Sequence, residues 1–183
     1  MSFFNKNKKI KSEKDLIDLA KKNSNYFAPI YKNYHEQIYR FVYQRMENQD
    51  DSADVVSQVF LKALVNLHNY EHRGHPFSSW LYRIALNEVN QFYRRTKNKR
   101  TVNLDEKDIK EIIIESGEAL DDNKREKLLI VLAGLDDEKL TLIEMRFFEK
   151  RKFKEIAEVL NITENNAKVR TYRVLDEMKK NML

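Results

Sequence analysis

Cysteine is absent from the sequence, which excludes a disulfide framework and any thiolate-ligated metal. Glycine and proline are nearly as scarce, 3 and 2 in 183 residues, too few to punctuate a sheet protein or build a glycine-rich phosphate loop. No apolar run approaches the roughly 20 residues that a membrane-spanning helix requires, so no membrane insertion is expected. The N-terminal stretch MSFFNKNKKIKSEKD holds no apolar segment long enough for a secretory signal, and a cytoplasmic location is the default expectation. Neither a Ser-His-Asp order nor a pair of catalytic carboxylates appears. The sequence therefore predicts no enzyme and no cofactor.

What is present is 42% hydrophobic and 34% charged, the balance of a helix-rich globular chain. A net charge of +5 and a pI near 9.2 point weakly to a polyanionic partner. The distribution of charge says more. Residues 82–100 carry six Lys/Arg against one acid, and residues 103–123 carry eight Asp/Glu against two Lys. Such an alternation divides the chain into pieces with different surroundings.

Helical periodicity dominates. A polar tail runs to about Asn23, with Leu16, Ile17 and Leu19 able to form one short amphipathic turn. The spacing predicts a helix over 27–47, carrying Ile30, Tyr34, Ile38, Phe41 and Val42 on one face. Asp51 offers an N-cap for a second helix to about Asn66, which buries Val55, Val56, Val59, Phe60 and Ala63. After a loop over 69–78, Ser78 can cap a third helix through Trp80 to about Thr96. Residues 103–123 read as a linker with one Ile112-Ile113-Ile114 patch. Helices are then expected over 124–133, 137–148 (capped by Asp136), 152–160 and 164–180. The last two flank an Asn161-Ile162-Thr163 turn, with Asn suited to ending a helix and Thr to capping the next. That is a helix-turn-helix layout. The expected fold is all-α, with two small helical domains joined by a linker. The pieces are an extension (1–23), a first domain (24–100), an acidic linker (101–123) and a helix-turn-helix domain (124–183).

On the last helix, Ala167, Thr171, Val174 and Met178 form the inward stripe. The opposite face shows Asn165, Asn166, Val169, Tyr172 and Arg173, flanked by Lys168 and Arg170. In a helix-turn-helix this helix enters the major groove; Asn pairs with adenine, Val meets a thymine methyl, and flanking cations meet phosphates. The alternative is an amphipathic helix with a solvated face. On the helix after Ser78, Leu81, Ala85, Val89 and Phe92 point inward. Arg83, Asn87, Asn90 and Arg94 line the other side with Gln91 beside them, leading into Arg95 and the basic run 97–100. Trp80 sits at the edge of that stripe, either as core or as a platform for an unpaired base.

Asp54, Gln58, Leu61 and Val65 share the outer side of the second helix. This is either a protein contact surface or a face covered by another helix, such as the N-terminal segment. His68, His72 and His75 cluster near the 69–78 loop, but no carboxylate completes a ligand set and no metal site is expected.

These segments resemble the extracytoplasmic-function (ECF) sigma factors of the sigma-70 superfamily. DSADVVSQVFLKAL (51–64) is similar to the family's helix that binds the clamp helices of the polymerase β′ subunit. FSSWLYRIALNEVNQFYRR (77–95) resembles the segment that recognises and opens the −10 element. Residues 135–180 resemble the domain that reads the −35 element. The resemblance implies a region 2 domain, a region 4 domain and a linker that crosses the polymerase active-site cleft and RNA exit path. It implies core RNA polymerase (β′ clamp helices and β flap), promoter DNA and an anti-sigma factor as partners. By that resemblance Asp51, Asp54, Val55, Gln58 and Leu61 contact polymerase, and the 69–78 loop captures a flipped −10 base. Ala53, Gln58 and Leu64 depart from the acidic, acidic and Trp residues usual there, and Lys150 and Asn161 stand where Gly is common. Two rival readings remain: a stand-alone helix-turn-helix regulator, and a sigma paralogue that sequesters an anti-sigma partner.

Overall fold

The computed structural model describes residues 12–46, 48–72, 74, 76–96, 106–115, 117 and 122–182, and every regular element among them is helical. The expectations for residues 1–11, His75, the basic run 97–100 and linker positions 101–105, 116 and 118–121 fall outside the described residues.

The first module begins earlier than its periodicity indicated. Ser12 Oγ accepts the Asp15 N–H at 3.1 Å and starts α1 (Glu13–Lys22), with acids in its first turn and lysines in its last. Leu16, Ile17 and Ala20 go inward, so the expected polar tail with a single turn is a full helix on the core. A 3-10 turn (Ser24–Tyr26) leads into α2 (Phe27–Tyr43). That helix ends at Tyr43 rather than 47, and the chain then turns Gln44, Arg45 and Met46 into the interior. Asn48, not Asp51, caps α3 (Gln49–Asn66): its Oδ1 accepts the Asp51 N–H at 2.8 Å. After a 3-10 turn (Leu67–Asn69), α4 runs from Phe77 to Thr96. Ser78 therefore lies buried inside its first turn instead of capping it. The module's core includes Phe41 edge-on to Tyr82 at 4.6 Å, and Phe77 against Tyr34, Tyr70 and Trp80.

The linker is the main departure. Residues 106–115 form α5 (Glu106–Glu115), whose Ile109, Ile112 and Ile113 are buried while Ile114 is exposed. The i, i+3, i+4 spacing of those isoleucines is a helix signal that the charge reversal obscured. The rest comprises α6 (Asp122–Ala133), α7 (Asp137–Ile143), α8 (Phe153–Leu160) and α9 (Glu164–Met182). Asp136 caps α7 as expected, accepting the Lys139 N–H at 2.9 Å. The single helix expected over 137–148 is interrupted. At Glu144–Phe148 the ladder widens to a π turn, with the Glu149 N–H reaching the Glu144 carbonyl at 3.0 Å. Lys150 and Asn161 both take left-handed backbone, φ 53° and 56°, which accounts for glycine being common at these two places. The modules lie against each other, with α4 on α8.

Candidate nucleic-acid interface

Asn161 ends α8 in its left-handed conformation, and the Ile162 N–H returns to the Ala157 carbonyl at 2.9 Å. Thr163 Oγ1 then accepts the Asn166 N–H at 3.2 Å and starts α9. Ala167, Thr171, Val174 and Met178 are buried, so the inward stripe is as expected. Asn165, Lys168, Val169, Tyr172 and Arg173 face outward. Three residues are engaged within the chain. Arg170 pairs with Glu138 and donates from Nε to Asn166 Oδ1 at 2.9 Å, which fixes both half-buried side chains. Tyr172 lies 6.0 Å from the Phe153 ring and 3.4 Å from Glu115 of α5.

The α4 face divides in two. Trp80, Asn87, Gln91 and Arg94 share a groove with Lys62 and Asn66 of α3. Lys62 Nζ bonds Glu88 Oε1 at 2.6 Å and lies 3.4 Å from Gln91 Oε1, so α3 fixes the floor of this groove. Asn90 is half-buried beside it, and Arg95 is exposed. Arg83 does not join that groove. It turns into a recess of about 140 Å³ walled by Asn69, Tyr70, Glu71, Pro76 and Trp80, where it meets Glu158 of α8 at 3.2 Å. Trp80 lines both hollows, half-buried, with the Tyr70 and Phe77 rings 5.2 and 5.3 Å away. Burial, with the Glu13 and Glu158 carboxylates adding to it, pushes the Tyr70 hydroxyl above its ordinary value.

On α3, Asp54 and Gln58 are exposed, and Leu61 and Val65 are 54% and 60% exposed. The described part of the N-terminal segment, α1, does not cover them; it packs on α2 and the Leu67–Asn69 turn. Val55 is 6% exposed, which corrects its place among surface contacts: it supports the stripe from beneath. Asp51 is half-buried beside its capping Asn48. His68 Nδ1 lies 2.9 Å from the Val65 carbonyl, and His72 lies 3.5 Å from the Tyr70 hydroxyl. Among the described residues no helix is long and apolar enough to cross a membrane.

Residues 30–99 match Sigma-70 region 2 and residues 131–180 match Sigma-70, region 4. RNA polymerase sigma factor SigV of Bacillus subtilis is 31% identical over 144 residues, covering 79% of this chain and 83% of SigV. The chain belongs to the ECF group of the sigma-70 family. ECF RNA polymerase sigma factor SigW of Bacillus subtilis is 24% identical over 180 residues, 93% of this chain and 96% of SigW. The solved structure of CnrH in complex with the cytosolic domain of CnrY has the same fold. Its TM-score is 0.62 at 19% identity, covering 89% of this chain and 92% of CnrH. The protein is an RNA polymerase sigma factor that directs promoter-specific transcription.

Sequence reasoning missed the charged and aromatic groups by which the two halves of this sigma factor meet. Arg45 is 0% exposed and pairs with Glu144, also 0% exposed, at 2.9 Å. Tyr82 donates to Glu149 Oε2 at 2.8 Å, and the Arg151 guanidinium lies over its ring at 4.2 Å. Burial, reinforced by the Glu149 carboxylate, raises the Tyr82 hydroxyl well above its ordinary value of 10.0. A raised value in the folded state means stability complete below pH 10 and lost as pH climbs toward the folded value. Stability is therefore expected to fall above pH 10, and Tyr82→Phe to flatten that fall while giving up the Glu149 bond at neutral pH. Urea midpoints measured from pH 8 to 11 check this; equal slopes in both proteins rule it out.

Proposed function

We infer that α3 docks this sigma factor on core RNA polymerase, that α4 opens and holds the −10 element, and that α9 reads the −35 element. The observation that carries the reading is a pair of outward, hydrogen-bonding helix faces, one in each matched region, beside the bare Leu61–Val65 stripe. Asp54, Gln58 and Leu61 form the polymerase contact, with Asp51 at its end and Val55 beneath. Trp80, Arg83, Asn87, Asn90, Gln91, Arg94 and Arg95 serve the −10 element. Stacking of an unpaired base on an aromatic contributes about 1–3 kcal/mol, enough to favour a melted strand. Asn165, Asn166, Val169, Tyr172 and Arg173 meet the −35 bases, while Lys168 and Arg170 meet phosphates.

Regions 2 and 4 bound the chain's part in catalysis. The protein acts by binding, in the cytoplasm, and the polymerase makes the bonds. CnrH was solved with a protein partner, the cytosolic domain of CnrY. We extend to this chain a partner of its own, an anti-sigma factor.

Reconstitution with core polymerase, followed by sequencing of transcript starts, tests the reading; no directed starts with active core would refute it. Asn165→Ala is expected to weaken a −35 duplex by about 1–3 kcal/mol and relax one base position. Lys168→Ala should weaken all sequences alike and lower the salt slope by about one. Salt-titrated duplex binding separates the two.

A further inference from the structure

We propose that Lys21, in the last turn of α1, is a positioning residue for strand capture: it holds in place the Tyr70 wall of the Trp80 recess. The proposal rests on the assignment of Trp80 to the −10 element made above. It also gives a task to α1, a helix that precedes residues 30–99, the part of the chain matching region 2.

Tyr70 is the piece that α1 and the recess share. Its ring is edge-on to Phe77 at 4.9 Å and lies 5.2 Å from Trp80, so the place of Tyr70 decides how the indole is walled. It also bounds the recess of about 140 Å³ beside Trp80. The chain leaves the Leu67–Asn69 turn extended at Tyr70, φ −68° and ψ 129°, and the Tyr70 N–H donates to the Leu67 carbonyl at 3.0 Å. The Tyr70 carbonyl meets α1 instead, accepting from Lys21 Nζ. The same ammonium lies 5.8 Å from the centre of the Tyr70 ring. A bond from a charged donor is about twice as strong as a neutral one, which suits it to fixing a loop.

Packing alone does not set this segment. Between Lys14, Ile17 and Lys21 of α1 and residues 70–72 lies a hollow of about 250 Å³. Across a gap the dispersion that contact supplies is lost, so side chains there do not hold Tyr70 by touching it. The Lys21 bond spans the edge of the hollow. Its base is firm: Leu16, Ile17 and Ala20 are buried, Ser12 caps the first turn, and Tyr34 of α2 donates to Glu13. Lys21 is thus an arm on an anchored helix, reaching the loop that faces the strand.

Two simpler roles for Lys21 differ in what they do to DNA. A phosphate contact would strengthen every strand alike, and a general stabiliser would act through the amount of folded protein. A positioning role acts only through the captured base. The test uses holoenzyme reconstituted from the full chain and core polymerase. Its probes are a dye-labelled unpaired oligonucleotide, carrying the −10 sequence of a start mapped by reconstitution, and copies with one base at a time removed to leave an abasic sugar. Anisotropy reads the affinities. The parent should bind the intact strand about tenfold tighter than the copy lacking the captured base, the scale of base–aromatic stacking. Lys21→Met is expected to cut that ratio to about threefold or less, weakening the intact strand while the abasic copy binds as before. Lys21→Arg, which keeps a cationic donor for the single carbonyl, should retain the ratio. The abasic copy reports the assembled fraction in every sample, so a poorly folding variant still yields a ratio. A Lys21→Met holoenzyme that keeps the parent's ratio overturns the proposal, as does one in which both strands weaken equally. A parent that prefers the intact strand to none of its abasic copies overturns the base-capture assignment itself, and the proposal with it.

Discussion

Glu144→Ala is expected to remove about 3–5 kcal/mol of the free energy that closes the molecule, because it leaves Arg45 charged and buried. The variant escapes most of that penalty by opening, which returns Arg45 to water. Urea unfolding followed by circular dichroism should then resolve into two transitions where the parent shows one. The paired change Arg45→Met with Glu144→Leu removes both charges at similar volume. It is expected to close at least as well as the parent, since apolar replacements of buried pairs are neutral or stabilising by about 1–4 kcal/mol. A Glu144→Ala chain that unfolds once, at the parent's urea midpoint, would show that the pair contributes nothing.

Phe77→Ala should cost region 2 about 3–5 kcal/mol through the cavity it leaves. Its ring is 0% exposed and lies 5.6 Å from Tyr34, 4.9 Å from Tyr70 and 5.3 Å from Trp80. The loss therefore falls on the joint between α2, the segment before α4 and the wall of the Trp80 recess. Promoter opening is expected to fail, while a −35 duplex, the proposed ligand of α9 in the other module, still binds. Phe77→Leu, which keeps most of the volume, should recover stability to within about 1.5 kcal/mol of the parent. Equal loss of −35 and −10 binding in Phe77→Ala would mean that the damage is global.

The faces of α9 and the turn before it were legible in the sequence. The inward stripe of α9, its outward Asn165, Val169 and Arg173, and the Asn161–Thr163 turn all follow from a 3.6-residue period and from the conformations that Asn and Thr accept. The order of motifs along the chain is enough to point to the family. Elements poor in apolar residues were obscured. In α1 only Leu16, Ile17 and Ala20 mark the buried face among many charges, and in α5 three isoleucines do the same. The contact between modules was not legible. Nothing local marks Arg45, Glu144 and Glu149 as buried: Arg and Glu are almost never fully buried unless paired, and pairing across about a hundred residues leaves no local pattern. The same blindness placed Arg83 in one continuous stripe with Asn87 and Arg94, where the structure divides them between a groove and a recess.

Trp80 is the chain's single tryptophan, and it stands between those two hollows. The molecule thus carries one indole, placed where strand separation is proposed to start, and light at the red edge of its absorption excites it without the nine tyrosines. A base stacking on the indole changes the ring's surroundings and so its emission. Stopped-flow fluorescence excited at the red edge of the indole band can therefore time capture of the strand in the unlabelled native protein.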